Sequence, residues 1–304
     1  MFPFSHIFLA MGGDCAIHLC AESRSKFEEL AETAEAEVVR IEKRYSRYRA
    51  DSELSRINTA AAEGESICVD EEARHLIEFA KACFVKSDGA FDITSGILRR
   101  AWDFSAARLP DQASIDALLP LIGLDKIALS DSCLDFSQAG QELDFGGLGK
   151  EFAADRAAEV CSALGARHGF VDLAGDIRVI GPQPDGSPWM VGIRHPREPE
   201  LVIAKVALTD GALATSGDYE RYFDFEGRRY CHILDPRTGW PAQGLSSVTV
   251  ISDRCLVAGS LSTIAMLKGR EGSSWLARLG VRHIVVTDEG ECCGTEPIDI
   301  RRYS

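Results

Sequence analysis

LDFGGLGKEFAAD, residues Leu143–Asp155, joins a short apolar strand to a helix through a glycine-rich turn. Gly146 and Gly147 let the backbone turn tightly and approach a ligand closely. A helix that begins at Gly149 directs free N–H groups and the positive end of its dipole at a phosphate, and Lys150 adds a mobile cation. Neither the P-loop nor the Rossmann fingerprint fits these residues. Taken alone, the stretch is equally consistent with a phosphate site and with a plain glycine-rich turn.

Helical and strand patterns alternate on both sides of this turn. Apolar residues recur at helical spacing over Phe27–Tyr48 with a capping box at Ser25 and Glu28, a second helix follows an Asp70 cap, and a third runs from Gly149 to Gly165. The patterns predict an α+β protein with antiparallel or mixed sheets and flanking helices. No linker divides residues 1–304, so we expect a single domain, helix-rich over about 1–168 and strand-rich over about 169–304. Strands are predicted at Cys15–Cys20, Gly169–Gly181, Trp189–Arg194, Leu201–Ala207, Arg229–Ile233, Ser247–Ile251 and His283–Val286, with one helix at Arg254–Leu267.

Composition excludes several classes of protein. The net charge of −14 argues against nucleic acid, which requires a basic surface. No apolar run reaches the length of a membrane span. Met1–Met11 lacks a basic n-region, and no lipoprotein cleavage site precedes Cys15 or Cys20, so a cytoplasmic protein is expected, or a periplasmic one if a leader is missing from this chain. The ten cysteines show no zinc spacing, and we interpret them as mostly buried, reduced thiols that favour the cytoplasm.

Two further stretches concentrate reactive side chains. Ala214–Tyr219 precedes Tyr230–Gly239, in which His232 and Asp235 lie just after a strand; this density indicates a site loop, although a simple Asp-Pro turn with a half-buried His232 also explains it. In Ser87–Leu98, two aspartates flank Gly89. They could bind the ribityl, ribose or adenine groups of a nucleotide, or they could cap local turns, which is the commoner use of Asp.

These stretches, in this order, resemble the ApbE family of FAD:protein FMN transferases. The similarity runs from Met11 to about Gly269 and implies a compact, T-fold-like α+β unit with FAD in a groove between two lobes. It is carried by SRYRADSELSRIN (Ser46–Asn58), DGAFDITSGIL (Asp88–Leu98), LDFGGLGKEFAAD, VDLAGDI (Val171–Ile177), WMVGIRHP (Trp189–Pro196), ATSGDY (Ala214–Tyr219) and HILDPRTG (His232–Gly239).

The resemblance also implies the reaction and its residues. A threonine hydroxyl of an acceptor protein, such as a subunit of a redox-driven membrane complex or another flavoprotein, attacks the FMN-side phosphorus of FAD, and AMP leaves. His232 lies at the reacting end. The positions that correspond to FAD contacts are Met11, Tyr48, Ala90, Phe91, Asp92, Asp144, Lys150 and Ile233.

The family supplies Mg²⁺, and here the sequence departs from its pattern. The carbonyl near Gly147 and the side chains of Ser262 and Thr263 match metal ligands, but Gly259 stands where an acidic ligand belongs. Mg²⁺ is normally anchored by one or two carboxylates. We therefore expect Asp253 or Asp176 to compensate, and Gly259→Asp to tighten Mg²⁺ binding.

Three milder departures and two alternative functions complete the prediction. Gly13 replaces the usual Thr, Ala174 replaces the first Gly of a GGD motif, and Glu151 follows Lys150 where Gly is usual. If the metal site is lost, the chain is an FAD-binding relative with weak or no transfer. If water replaces the threonine, it is an FAD pyrophosphatase that gives FMN and AMP.

Overall fold

The computed structural model of the protein describes residues 1–302. None of the helices in this range is long and apolar enough to cross a membrane. The α-helices are α1 (Arg24–Tyr45), α2 (Glu53–Glu63), α3 (Glu71–Lys86), α4 (Gln112–Leu118), α5 (Gly149–Ala163), α6 (Cys255–Leu267) and α7 (Gly272–Leu279).

The strands of the described residues form four sheets. Their bounds are β1 (Phe2–Ala10), β2 (Gly13–Ala21), β3 (Ile67–Cys68), β4 (Ile127–Ser130), β5 (Cys133–Phe136), β6 (Gly169–Leu173), β7 (Asp176–Gly181), β8 (Trp189–Arg194), β9 (Leu201–Leu208), β10 (Gly211–Gly217), β11 (Tyr222–Phe225), β12 (Arg228–Cys231), β13 (Leu245–Ser252), β14 (Arg282–Thr287), β15 (Cys292–Gly294) and β16 (Arg301–Arg302).

An eight-stranded sheet in the order β1-β2-β6-β7-β10-β13-β14-β15 organises the fold, and its neighbours pair antiparallel. Its first two strands come from the start of the chain, so the sheet draws on both of the halves that the sequence distinguishes. The β1–β2 turn with Met11-Gly12 and the β6–β7 turn with Ala174-Gly175 lie at the same end of the sheet. The Ala174 N–H there donates to the Asp14 carbonyl at 3.0 Å.

Helices α1, α5 and α6 cover one face of this sheet. Helix α5 lies close because its buried face is built largely of alanine, with Ala153, Ala154 and Ala157 fully buried. The opposite face packs against β8 and β9 through a second apolar cluster that includes Val179, Ile203 and Val206. The sheet is therefore covered on both faces.

An aromatic cluster connects the first half of the chain to the loop after β12. Trp102 packs edge-on against Trp240 with ring centroids 5.3 Å apart, and its indole N–H donates to the Gly239 carbonyl at 2.8 Å. Phe223 and Tyr230 of the β11–β12 hairpin complete the cluster. These contacts hold the segment that contains His232 in a fixed position.

Several local predictions are confirmed and others are corrected. Asp70 caps α3 by accepting from Ala73 N–H, as predicted. The cap of α1 is Ser23 and not the predicted Ser25–Glu28 box, since the Ser23 side chain accepts from Lys26 N–H. Helices α2, α4 and α7 and strand β1 were not predicted.

The cysteines are mostly buried thiols, as predicted, with one exception. Cys68 and Cys133 form a disulfide between β3 and β5, where they face each other in register. Of the eight free cysteines in the described residues, six are buried, while Cys292 is half-buried and Cys293 is exposed. Disulfides persist mainly in oxidising compartments, so the cysteines do not support the cytoplasmic assignment.

Candidate functional site

The N-terminus of α5 follows the glycine turn and carries no side-chain cap. The Gly149 N–H donates to the Phe145 carbonyl at 2.7 Å, so the N–H groups that follow it in the first turn are the ones that would meet a phosphate at this helix N-terminus. The Lys150 ammonium lies at this end and contacts the Asp176 carboxylate at 2.9 Å. Burial alone would lower the pKa of Lys150, but the carboxylates of Asp176 and Glu151 outweigh it and raise the pKa above its ordinary value.

Two buried carboxylates, Glu151 and Asp176, flank the lysine. Burial is the main cause that raises the pKa of each one, and their mutual repulsion adds to the shift of Glu151. Asp176 has partners, since its Oδ1 accepts from the Thr215 N–H at 3.2 Å and its Oδ2 contacts Lys150. The Oε2 atom of Glu151 is buried and has no hydrogen-bond partner within residues 1–302.

Three hydroxyl groups lie between β10 and α6. Ser216 Oγ is 2.8 Å from Ser262 Oγ and 2.9 Å from Thr263 Oγ1, and Ser262 Oγ donates to the Gly259 carbonyl at 2.9 Å. Residues 259, 262 and 263 share one face of α6 by helical spacing. The α5–α6 polar cluster, as we name it, comprises Lys150, Glu151, Asp176, Ser216, Ser262 and Thr263.

Gly259 faces Glu151 directly. A β-carbon on Gly259 would lie 2.5 Å from Glu151 Cγ and 2.6 Å from its Oε1. An aspartate at position 259 cannot enter without displacing Glu151, which counts against the expectation that Gly259→Asp strengthens the metal site. Of the two compensating residues proposed from the sequence, Asp176 lies in the cluster, whereas Asp253 is exposed at the start of α6.

The other two departures from the family pattern also meet in space. A β-carbon on Gly13 would lie 3.0 Å from the Ala174 β-carbon, so a larger residue at 13 requires a smaller one at 174. Met11 lies in the adjacent turn with φ of +54°, and its N–H donates to Glu42 at 2.6 Å. This turn is therefore held in place although its tip contains glycine.

Asp144 and Tyr48 are linked by Arg47, a residue that the sequence analysis did not single out. Arg47 donates to the Asp144 carboxylate and, at 2.9 Å, to the Tyr48 hydroxyl. The other Asp144 oxygen accepts from the Gly146 N–H at 2.8 Å, which shapes the glycine turn. Hydrogen bonding from Arg47, assisted by Arg221, lowers the pKa of Tyr48, whose ring is 79% exposed and available for stacking.

His232 lies directly after β12 and is exposed. Its Nδ1 is 3.3 Å from the Arg221 carbonyl, and since a carbonyl only accepts, Nδ1 carries the proton and Nε2 keeps a lone pair. Desolvation lowers the pKa of His232, with further lowering by the charges of Arg221, Lys150 and Arg47. The imidazole is therefore within electrostatic range of the α5 N-terminus.

Hydrogen bonds of Asp235 and of the Ile233 backbone shape the rest of the HILDPRTG loop. Asp235 accepts from the Arg237 N–H and side chain, each at 2.9 Å, as expected for a turn. Ile233 is buried, and its carbonyl accepts from the Ala242 N–H at 2.8 Å.

Phe91 packs beside the glycine turn, and Ala90 and Asp92 are its neighbours in the chain. Ala90 and Phe91 are buried, and a β-carbon on Gly147 would contact the Phe91 ring at 3.7 Å. The Asp92 carboxylate accepts from the Thr94 N–H at 2.8 Å and the Thr94 hydroxyl at 2.6 Å, and from Leu124 N–H at 3.1 Å. Its oxygens are thus occupied by the protein, which favours the turn-capping alternative for Asp92.

We expect Asp92→Ala to lower the free energy of unfolding by about 1–3 kcal/mol, because it leaves these buried donors unpaired. Urea denaturation of the parent and the variant measures the difference. Asp125→Ala, which removes an exposed carboxylate nearby, serves as the matched control and should change little. If Asp92→Ala weakens FAD binding without loss of stability, its role is in ligand contact instead.

In this α+β protein, an uncapped helix N-terminus with a lysine, next to buried carboxylates and hydroxyl groups, is an arrangement suited to a nucleotide phosphate. The ApbE family model matches residues 11–285. The chain therefore belongs to the ApbE family, as the sequence resemblance predicts.

Curated relatives and solved structures agree with this assignment. The chain is 34% identical over 262 residues to the FAD:protein FMN transferase of Rhodobacter capsulatus, which covers 83% of this chain and 49% of that protein. It is 32% identical to the enzyme of the same name from Vibrio cholerae, over 81% of this chain and 76% of the relative. The chain thus spans about half the length of the first relative and three quarters of the second.

The crystal structures of ApbE proteins confirm the α+β fold. The ApbE protein of Thermotoga maritima superposes with a TM-score of 0.89 at 33% identity, over 97% of both chains. The flavinyl transferase ApbE of Pseudomonas stutzeri gives a TM-score of 0.85 at 31% identity, over 97% of this chain and 94% of that one.

Proposed function

We propose that this protein is an FAD:protein FMN transferase, which moves FMN from FAD to a threonine hydroxyl of an acceptor protein and releases AMP. The observation that carries the proposal is the uncapped α5 N-terminus with Lys150, whose charge is near enough to His232 to lower the pKa of its imidazole. The names of the curated relatives support the same activity. We also propose that residues 1–304 act as one domain, with FAD in a groove between its two halves.

Each group has a role that follows from its chemistry. The α5 amides and Lys150 hold the phosphate oxygens of FAD, and Tyr48 offers an aromatic face for stacking. His232 Nε2 accepts the proton of the threonine hydroxyl. A bond then forms between the threonine oxygen and the FMN-side phosphorus, while the bond from that phosphorus to the bridging oxygen breaks and AMP leaves with that oxygen. Met11, Ala90, Phe91, Asp144 and Ile233 form the walls of the proposed site.

The residues of the α5–α6 polar cluster fit a magnesium ion. Mg²⁺ prefers hard oxygen ligands and usually combines one or two carboxylates with substrate phosphates. The buried Glu151 Oε2 without a partner and the hydroxyl groups of Ser262 and Thr263 meet that preference, and the Gly147 carbonyl would add a ligand from the turn. No group of three or more His, Cys, Asp or Glu side chains suited to a metal occurs in residues 1–302, so phosphate oxygens must complete the set. When bound, Mg²⁺ would neutralise charge on the transferring phosphate.

The test is incubation with FAD and Mg²⁺, with and without a threonine-containing acceptor peptide. A transferase gives AMP and covalent flavin only when the acceptor is present. A pyrophosphatase gives AMP and free FMN without the acceptor. An FAD-binding relative that has lost transfer quenches FAD fluorescence but releases no AMP, and either of these two results would overturn the proposal.

A further inference from the structure

The conformation of Gly259 does not require glycine. It lies in the middle of α6 outside the left-handed region, where alanine would favour the helix more than glycine does. Glu151 leaves no room for a side chain at position 259, because its Cγ, Cδ and Oε1 atoms lie within 2.5–2.9 Å of the place where a β-carbon would be. Helix α6 therefore has a notch at Gly259, and the Glu151 side chain from α5 fills it.

Glu151 also needs a partner. Glu151 is only 7% exposed, and no group within the described residues donates a hydrogen bond to its Oε2 atom. The nearest cation, Lys150, is directed at Asp176. Burial of a carboxylate oxygen without a partner costs free energy unless a bound group supplies the missing interaction. Protonation would remove the charge but would leave this oxygen unpaired.

The position of the Glu151 carboxylate indicates which kind of bound group would supply the missing interaction. Gly259 is three and four residues before Ser262 and Thr263, so Glu151 lies one helical turn from their hydroxyl groups on the same face of α6. One carboxylate oxygen and two hydroxyl oxygens on adjacent helices form half of the oxygen environment that a divalent cation prefers. The lysine and Asp176 form a separate pair beside them.

We propose that Glu151 is the carboxylate ligand of the divalent cation at this site, reaching it from α5 through the notch at Gly259. The inference rests on the proposed function, whose phosphate substrate completes the ligand set. The acidic ligand is thus not lost from this chain but has moved from α6 to α5. Glu151→Gln should remove this carboxylate ligand while keeping the shape of the side chain.

The experiment measures Mn²⁺ binding by electron paramagnetic resonance, with saturating FAD and no acceptor, for the parent and for Glu151→Gln. Loss of the ligand should weaken Mn²⁺ binding by at least the roughly 10–100-fold that follows loss of an outer-shell partner. Glu159→Gln, on the same helix but outside the cluster, is the matched control and should bind Mn²⁺ like the parent. Thermal unfolding without metal checks that the variants fold. Unchanged Mn²⁺ affinity in Glu151→Gln would overturn the proposal.

A swap of the two residues gives a second, independent result. Gly259→Asp alone should bind Mn²⁺ more weakly than the parent, because the two carboxylates collide. The double variant Glu151→Gly/Gly259→Asp places one carboxylate on α6 with room to fit, and should recover most of the affinity. A double variant no better than Gly259→Asp would count against the notch, and if it does not fold, Glu151→Gln decides alone. Glu151-dependent Mn²⁺ binding in a protein that transfers no FMN would refute the proposed function and leave this inference standing.

Discussion

His232→Ala is expected to lower the rate of FMN transfer by about 10²–10⁴-fold, the usual contribution of a positioned general base. The imidazole donates from Nδ1 to the Arg221 carbonyl, which leaves Nε2 as the nitrogen that accepts a proton. FAD affinity should change far less, because the phosphate contacts we propose are made by α5 and Lys150. Covalent flavin on the acceptor, followed over time at saturating FAD, measures the rate.

The pH profile of the parent supplies a further check. A base must be neutral to act, and the pKa of His232 is lowered by desolvation and by the neighbouring cations. Its neutral form therefore persists below the ordinary histidine pKa of about 6.5, and the parent rate should stay constant as pH falls through that value. His75→Ala, which removes an exposed histidine on α3, is the control for His232→Ala and should keep the parental rate. A near-parental rate in His232→Ala would assign the proton transfer to another group.

The parts of the fold that were predicted from the sequence are those with a local signal. The Asp70 cap, the start of α5 at Gly149 and the strand Trp189–Arg194 depend on residues close together in the chain. Strand β1 gave no such signal, because Ile7 and Leu9 are apolar and yet exposed, which removes the alternation typical of a half-buried strand. Its place in the sheet follows from pairing with β2.

The candidate site shows the same limit at longer range. Glu151 and Gly259 are 108 residues apart in sequence. Considered separately, position 151 has lost the glycine that is usual in the family, and position 259 has lost the usual carboxylate. Only the packing of α5 on α6 makes them one arrangement. The sequence does contain one signal, which is that the two departures change side-chain size in opposite directions. The residue at position 151 is larger than usual and the residue at 259 is smaller, and Gly13 and Ala174 show the same kind of exchange.

Lys150→Met is expected to lower the free energy of unfolding by about 3 kcal/mol, the lower end of the 3–5 kcal/mol that follows removal of one partner from a buried ion pair. Asp176 is almost fully buried, and its Oδ2 loses its cation, while Glu151 loses the nearest positive charge. The lower end applies because the lysine side chain keeps 28% exposure. Chemical denaturation of the metal-free protein measures the change.

Two further measurements separate the structural role of the lysine from its role toward FAD. The double variant Lys150→Met/Asp176→Asn removes both charges of the pair, so it should be more stable than the sum of the two single variants predicts. FAD affinity of Lys150→Met should fall more at low ionic strength than at high, because an open contact with phosphate is screened by salt. The loss of stability should depend little on salt, since the ion pair with Asp176 is shielded from solvent. Additive stabilities in the double variant would contradict the ion pair, and an FAD effect independent of salt would assign the Lys150 stem a packing role.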